Sequence, residues 1–312
     1  MNCSVVIPVY RGAETLPALV ARLEAVLPGI AEAYEVILVN DGSPDQSWQV
    51  ISQLAGQHPC VRGVNLMRNY GQHSATLCGI RLARYEVVVT MDDDLQHPPE
   101  EIHFLLEKLQ EGYDVVYGVP KKLPHSWWRN LGSVLTKLLV ASAIGIKTVR
   151  DVSAFRAFRA DLRRAFDGYN NPDVMIDVLL SWGTTRFTTV LVDEQPRIAG
   201  KSNYTMAQLI RMSLLYLTNF STIPLRFSNI VGFFFTLLGF AGFIYIIAIY
   251  FAEGSVPGFP FLASAIMIFS GVQLFALGII GEYLARVFER TAGRTPYTVA
   301  QTTPEAPSQK QP

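Results

Sequence analysis

Two stretches free of charge, residues 230–251 and 258–281, constrain this chain of 312 residues more than anything else in it. As a helix rising about 1.5 Å per residue, the first would span roughly 33 Å, against a bilayer hydrocarbon core of about 30 Å. One such run could be a buried core helix, but two side by side read as a membrane-crossing pair. The connector, 252–257, holds Glu253 and no Lys or Arg. Arg211 and Arg226 precede the pair, and Arg286, Arg290 and Arg294 follow it. Cations gather on the cytoplasmic side of spanning segments, so both flanks and both termini are expected there, with a short tip outside. Two helices are too few for a transport path and read as an anchor. The opening residues, MNCSVVIPVYRG, lack the basic segment and long apolar core of a signal peptide, which agrees with a cytoplasmic N-terminal part.

The apolar excess, 50% hydrophobic against 17% charged, is concentrated toward the C-terminal end. Formal net charge is zero, so no basic field argues for nucleic acid. Cys3, Cys60 and Cys78 have no CxxC or His-spaced pattern; they suit a reduced compartment and signal neither a metal site nor a disulfide.

Upstream of the runs the chain alternates between two periodicities. Residues 4–9, 35–39, 61–66, 87–91 and 114–117 are short β-rich segments. Between the first two, Leu16, Leu19, Val20, Leu23, Val26 and Leu27 recur at helical spacing, with similar segments near 45–57, 72–84 and 99–111. This alternation predicts an α/β domain: a mostly parallel sheet with helices on both faces and ligands beyond the carboxyl ends of the strands. Between 205 and 224, Met206, Leu209, Ile210, Leu214, Leu217 and Phe220 share one helical face, suited to the membrane interface or to packing on the domain. The stretch after Thr295, rich in Pro, Gln, Thr and Ser, is expected to be disordered. The expected divisions are therefore 1–204 catalytic, 205–227 juxtamembrane, 228–285 spanning and 286–312 tail.

The strand at 87–91 runs into Asp92-Asp93-Asp94, then Leu95-Gln96-His97-Pro98-Pro99. Successive carboxylates at a strand end repel one another unless a cation is present, and Mg²⁺ typically takes one or two carboxylates plus substrate phosphates. In extended chain Asp92 and Asp94 point the same way and Asp93 is turned aside. The alternative is a solvated acidic loop capping the helix that Pro98-Pro99 begins. No GxxxxGK[ST] loop and no GxGxxG after the first strand are present, so a bound diphosphate would need a metal to screen it. Pro8-Val9-Tyr10 and Asn40-Asp41-Gly42-Ser43 follow the first two strands. A ring and a carboxylate there could hold a nucleoside, although Asp41-Gly42-Ser43 also suits an ordinary turn.

SVVIPVY, VNDGSPD, LMRNYGQHSA and MDDDLQHPPEE, in this order, resemble glycosyltransferase family 2 with its GT-A (Rossmann-like) fold. With the C-terminal helix pair and IIGEYLARV, the chain is similar to the polyprenyl-phosphate glycosyltransferases, which include dolichol-phosphate mannose synthases and bacterial undecaprenyl-phosphate glucose and aminoarabinose transferases. The resemblance implies metal binding (Mg²⁺ or Mn²⁺) at Asp92, Asp94 and Gln96. It implies donor binding at Pro8, Tyr10, Asp41, Arg68 and Asp93, and at Arg197, Lys201, Ser202 and Tyr204 in a segment closing over the donor. Asp151, in RDVSAFRAF, matches an aspartate near the reaction centre, and would share catalysis with Asp92 and Asp94. A salt bridge to Lys147 or Arg150 is the structural alternative for it.

Arg129 and Ser133 match acceptor-phosphate positions, with Lys121 and Lys122 supplying further charge. The tryptophans beside Arg129 suit a bilayer interface, and Ser133 follows it at i+4 on a helix face. Departures from the family pattern are Asn40 for the first Asp of DDGS, Arg11-Gly12-Ala13 for an Asn-Glu pair, Asn203 for Lys and Pro120 for Arg. The absence of Gln-x-x-Arg-Trp argues against a processive polysaccharide synthase. The expected activity is inverting transfer of one sugar from a nucleotide-diphosphate sugar, a UDP-sugar first, to a polyprenyl phosphate. It would take place at the bacterial cytoplasmic membrane, with room for a homo-oligomer. Transfer to another lipid or glycan, or a nucleotide-sugar-binding scaffold without turnover, are the rival readings.

Overall fold

The computed structural model describes residues 1–121, 152–193, 195, 223–254 and 258–304. The chain forms two compact units, Met1–Thr205 with Gly293–Pro312, and Met206–Ala292. Lys122, Arg129, Ser133, Asp151, Arg197, Lys201, Ser202, Tyr204 and residues 205–222 lie outside the described residues.

The first unit is built on one mixed sheet. Strands β1 (Cys3–Val9), β2 (Tyr34–Asn40), β3 (Val61–Leu66) and β4 (Val87–Thr90) run parallel in the order β4-β1-β2-β3. Beyond β4 lie antiparallel β6 (Arg156–Arg159), then β5 (Val115–Pro120) and β7 (Phe187–Val192), the last two parallel to each other. Segments such as VVIPV and VILV are apolar without alternation because helices cover both sheet faces. Helices α1 (Leu16–Ile30), α2 (Ser47–Gln57) and α4 (Ile102–Gln110) fill one core layer. Helices α3 (Gln72–Leu82) and α5 (Ile176–Gly183) fill the other. In α1 a proline in the first turn suits a position whose N–H has no intrahelical acceptor, and Leu16, Leu19, Val20, Leu23 and Leu27 are the buried stripe.

The tail corrects the sequence expectation. Residues Val299–Thr302 form β8, antiparallel to β3, and complete an eight-stranded sheet. Composition pointed to disorder, but the open edge of β3 supplies backbone partners that a short Thr- and Gln-bearing strand can use.

The second unit contains α6 (Ile223–Glu253) and α7 (Phe259–Thr291), each long and apolar enough to cross a membrane. They outrun the charge-free stretches because their ends continue into polar sequence, where Arg286 pairs with Glu282 one turn earlier at 2.8 Å. Gly239 lies against Phe269, and a Cβ there would come within 2.8 Å of the ring. Small residues let spanning helices approach closely.

Candidate active site

At β1 the strand order reverses between β4 and β2, the kind of switch point where open α/β sheets bind ligands. Beyond the carboxyl ends of these strands, Pro8, Val9, Tyr10, Asp41, Asp92, Asp93 and Asp94 line a cavity of about 390 Å³ with Asn69, Gly71 and Gln72.

The three aspartates are placed differently. Asp93 turns back toward β1, where its Oδ2 accepts the Tyr10 N–H at 3.3 Å. That carboxylate occupies the space a side chain at residue 12 would need: a Cβ on Gly12 would lie 2.3 Å from Asp93 Oδ2. Burial, and then the neighbouring Asp92 and Asp94 carboxylates, push the Asp93 acid up to about 7. Asp92 Oδ1 accepts a short bond from Gln72 Nε2, and Asp94 Oδ1 accepts the Gln96 N–H at 3.1 Å. Leu95 between them has φ of 60°, a left-handed backbone rarely taken by leucine, and Arg11 has φ of 59° on the facing loop. Such strain gathers at functional sites.

Among the described residues no three His, Cys, Asp or Glu side chains form a metal-binding group. The donor set is instead two carboxylates facing a cavity, which fits a hard divalent cation completed by substrate phosphates. Asp92 and Asp94 would hold that ion.

Asp41 carries the other end of the cavity. It is buried, and its two oxygens accept the N–H groups of Tyr70 and Gly71 at 2.7 and 2.8 Å. Burial pushes its pKa above the usual carboxylate value, opposed by those two hydrogen bonds and by Arg68. Gly42 has φ of 60°, and a Cβ there would lie 2.4 Å from the backbone carbon of Arg68, so the 41–43 turn needs glycine to meet the 68–71 loop. Ser43 and Ser47 accept the N–H groups of Arg11 and Gly12 at 3.1 and 3.0 Å, tying the β1 and β2 loops together. Asn40 is buried and donates to Asn65 Oδ1 at 2.7 Å.

Not every expected residue lines this cavity. Arg68 stacks on Tyr70, 4.3 Å from the ring centre, and lines a neighbouring cavity. Lys121 pairs with Asp193 at 2.8 Å at the ends of β5 and β7. Gln96 stays beside Asp94, and its carbonyl accepts the Gln195 N–H.

Other contributors had no signal strong enough to name them. Asn69, Gly71 and Gln72 stand in the LMRNYGQHSA segment, where the resemblance points to Arg68 alone. Behind Asp92, Arg156 and Asp177 form a buried ion pair; Arg156 Nε donates to Thr90 Oγ1 at 3.0 Å, and the Tyr117 hydroxyl donates to Asp177 at 2.9 Å. Burial and the Asp177 carboxylate push the Tyr117 hydroxyl well up, which keeps it a donor.

A glycosyl transferase family 2 domain matches residues 4–164. Over 309 residues the chain is 34% identical to an undecaprenyl-phosphate 4-deoxy-4-formamido-L-arabinose transferase of Pseudomonas paraeruginosa, covering 98% of this chain and 91% of the relative. A transferase of the same name from Serratia proteamaculans is 36% identical over 310 residues, covering 98% and 95%. Glucosyl-3-phosphoglycerate synthase from Mycobacterium tuberculosis, solved with Mn²⁺, uridine diphosphate and phosphoglyceric acid, shares the fold. Its TM-score is 0.52 at 20% identity, over 70% of this chain and 76% of that one. Sequence match and sheet architecture agree: the chain belongs to glycosyl transferase family 2, and is a glycosyltransferase with a GT-A catalytic unit.

Proposed function

We propose that this enzyme transfers a single sugar, with inversion, from a nucleotide-diphosphate sugar to a polyprenyl phosphate at the cytoplasmic face of a bacterial membrane. The observation that carries the reading is one cavity combining Asp92 and Asp94 with Asp41 and Tyr10 at a sheet switch point. The near full-length likeness to undecaprenyl-phosphate transferases supports the acceptor. A UDP-sugar is the proposed donor.

Tyr10 and Asp41 hold the nucleoside, the ring by stacking and the carboxylate by accepting an N–H or O–H. A Mg²⁺ or Mn²⁺ ion held by Asp92 and Asp94 supplies neutralisation of charge on the departing diphosphate. An acceptor phosphate oxygen bonds to the anomeric carbon from the face opposite the diphosphate, the carbon–oxygen bond to the diphosphate breaks, and the nucleoside diphosphate leaves with that electron pair. A phosphate monoester has its second pKa near about 6 and is largely dianionic at neutral pH, so no strong base is required. Positioning then supplies most of the rate. Asp151 is proposed to orient the acceptor or hold the sugar, with Arg129, Ser133, Lys121 and Lys122 receiving its phosphate and Arg197, Lys201, Ser202 and Tyr204 closing over the donor. Helices α6 and α7 anchor the enzyme, leaving the catalytic unit and both termini cytoplasmic.

The test is sugar transfer to a short-chain polyprenyl phosphate in detergent across a panel of nucleotide sugars. Asp92→Asn or EDTA should lower the rate by about 100-fold or more, the scale of losing a principal electrostatic stabiliser. Full activity in EDTA would remove the metal from the scheme, and transfer only to a non-phosphate lipid or a glycan would remove the acceptor.

A further inference from the structure

Beside the cavity with the aspartates lies a second, of about 610 Å³, lined on one side by Arg68, Asn69, Tyr70 and Gly71 and on the other by Gly293, Arg294, Thr295 and Pro296. The two cavities share Asn69 and Gly71. This second wall is chain that follows α7. Gly293, with φ of 69°, turns the backbone out of the helix, and the tail is then fastened at several points. The Met67 N–H donates to the Thr298 carbonyl at 2.9 Å, and β8 pairs with β3. Gly63 and Thr303 exchange bonds in both directions, from Gly63 N to Thr303 Oγ1 at 2.8 Å and from Thr303 N to Gly63 O at 2.9 Å. Tyr297 packs on the second core layer, with the Arg81 guanidinium 5.7 Å from its ring centre. An edge strand, a reciprocal bond pair and a core-packed ring hold Arg294 and Thr295 at the cavity.

Arg294 is exposed, and among the described residues neither it nor Arg68 forms an ion pair with a carboxylate. A guanidinium only donates hydrogen bonds, and an ionised carboxylate only accepts them. The shared wall hangs on Asp41, through the Tyr70 and Gly71 amides. A ligand whose charged end meets Asp92 and Asp94, and whose ring lies at Asp41, borders across the shared Asn69 and Gly71 on the cavity that Arg68 and Arg294 line. We infer that the returning tail is part of the donor site, and that Arg294 reads the nucleobase, favouring a ring with two carbonyl oxygens and an N–H between them. Asp41 accepts from that N–H, while Arg294 and Arg68 donate to the carbonyls. A base bearing an exocyclic amine would set donor against donor. The inference rests on the nucleotide-sugar reading above, its UDP-sugar donor included, and adds to it the tail residue that selects the base.

The full chain in detergent with Mn²⁺ is titrated with UDP, CDP, ADP and GDP, before and after Arg294→Ala and Arg294→Gln. Unmodified enzyme should bind UDP about tenfold or more tighter than CDP, equivalent to about 1.4 kcal/mol. Both substitutions should weaken UDP by a similar factor, shrink the UDP-to-CDP ratio and raise the donor KM. The polyprenyl-phosphate KM, kcat at saturating donor and thermal midpoint should stay near their starting values. If UDP affinity is unchanged in both variants while the unmodified enzyme binds it, the tail assignment is wrong and the donor reading stands. An equal loss for all nucleotides and for the acceptor would also overturn it, as mere loosening of the unit. Enzyme that binds none of the four nucleotides would remove the donor reading itself.

Discussion

In the catalytic unit, Val5, Val36 and Val89 are fully buried and buried charged groups such as Glu35 and Asp41 meet specific partners, whereas Phe233, Leu237, Leu238 and Phe240 along α6 are more than half exposed. Glu35 illustrates the first pattern: only 4% exposed, it accepts bonds from Ser4 Oγ, Arg84 N and Arg62 Nη1, each at 2.7 Å. Its environment replaces water with matched donors, since an unmatched buried carboxylate would be strongly disfavoured. The helical pair follows the opposite rule. Its backbone groups are satisfied within each helix, and its apolar side chains need only a non-aqueous surrounding. One unit is therefore sensitive to the loss of a partner, the other to the gain of a charge.

The sharpest break of this contrast is at Asp177, which faces Arg156 with both side chains buried. Asp177→Ala leaves the guanidinium unpaired and should lower the stability of the catalytic unit by about 3–5 kcal/mol. Denaturation of the full chain followed by the signal of this unit reads it; an unmoved midpoint would mean that the pair is dispensable. Next comes a matched substitution at two apolar residues of similar exposure, Leu238 on α6 at 53% and Leu191 on β7 at 59%. If α6 crosses the bilayer as proposed, Leu238→Arg opposes insertion by about 2.5–3.5 kcal/mol and should reduce the share of protein retained in membranes after an alkaline wash. Leu191→Arg, on a water-facing surface, should change stability by no more than about 0.5 kcal/mol. Equal behaviour of the two would erase the distinction between the units. The smallest effect is expected at Arg22 and Glu100, a partly exposed pair at 2.6 Å. Glu100→Ala should cost under about 1 kcal/mol in the same denaturation experiment, because solvent screens the pair; a larger loss would mark Glu100 as more than a surface partner.

Much of the architecture was legible along the chain because its signals are local. Val61–Leu66 coincides with the expected strand, and the other segments shift by a residue or a few at their ends, where neighbouring strands decide how far pairing extends. The spacing predicts one helix over 99–111, but residues Pro99–Glu101 form a separate 3-10 turn ahead of α4. The aspartate triplet stood out because three carboxylates after an apolar strand are chemically conspicuous. Arg156 and Asp177 did not, since each alone resembles an ordinary surface charge, and burial depends on strands and helices far apart in sequence.

The sequence by itself determined the two charge-free helices, the strand–helix alternation and the triplet at the end of β4, all properties of hydrophobic period and charge spacing over a few residues. Tertiary structure alone decided that Asp93 turns to Tyr10, that Arg68 faces a second cavity, and that the polar tail becomes a strand. The tail is the clearest case. Its hydrogen bonds to Gly63 join residues 240 positions apart, and nothing in a Thr- and Gln-rich stretch announces a partner at that distance. A short strand has too few contacts of its own to order itself, and takes its conformation from the edge that its backbone groups complete.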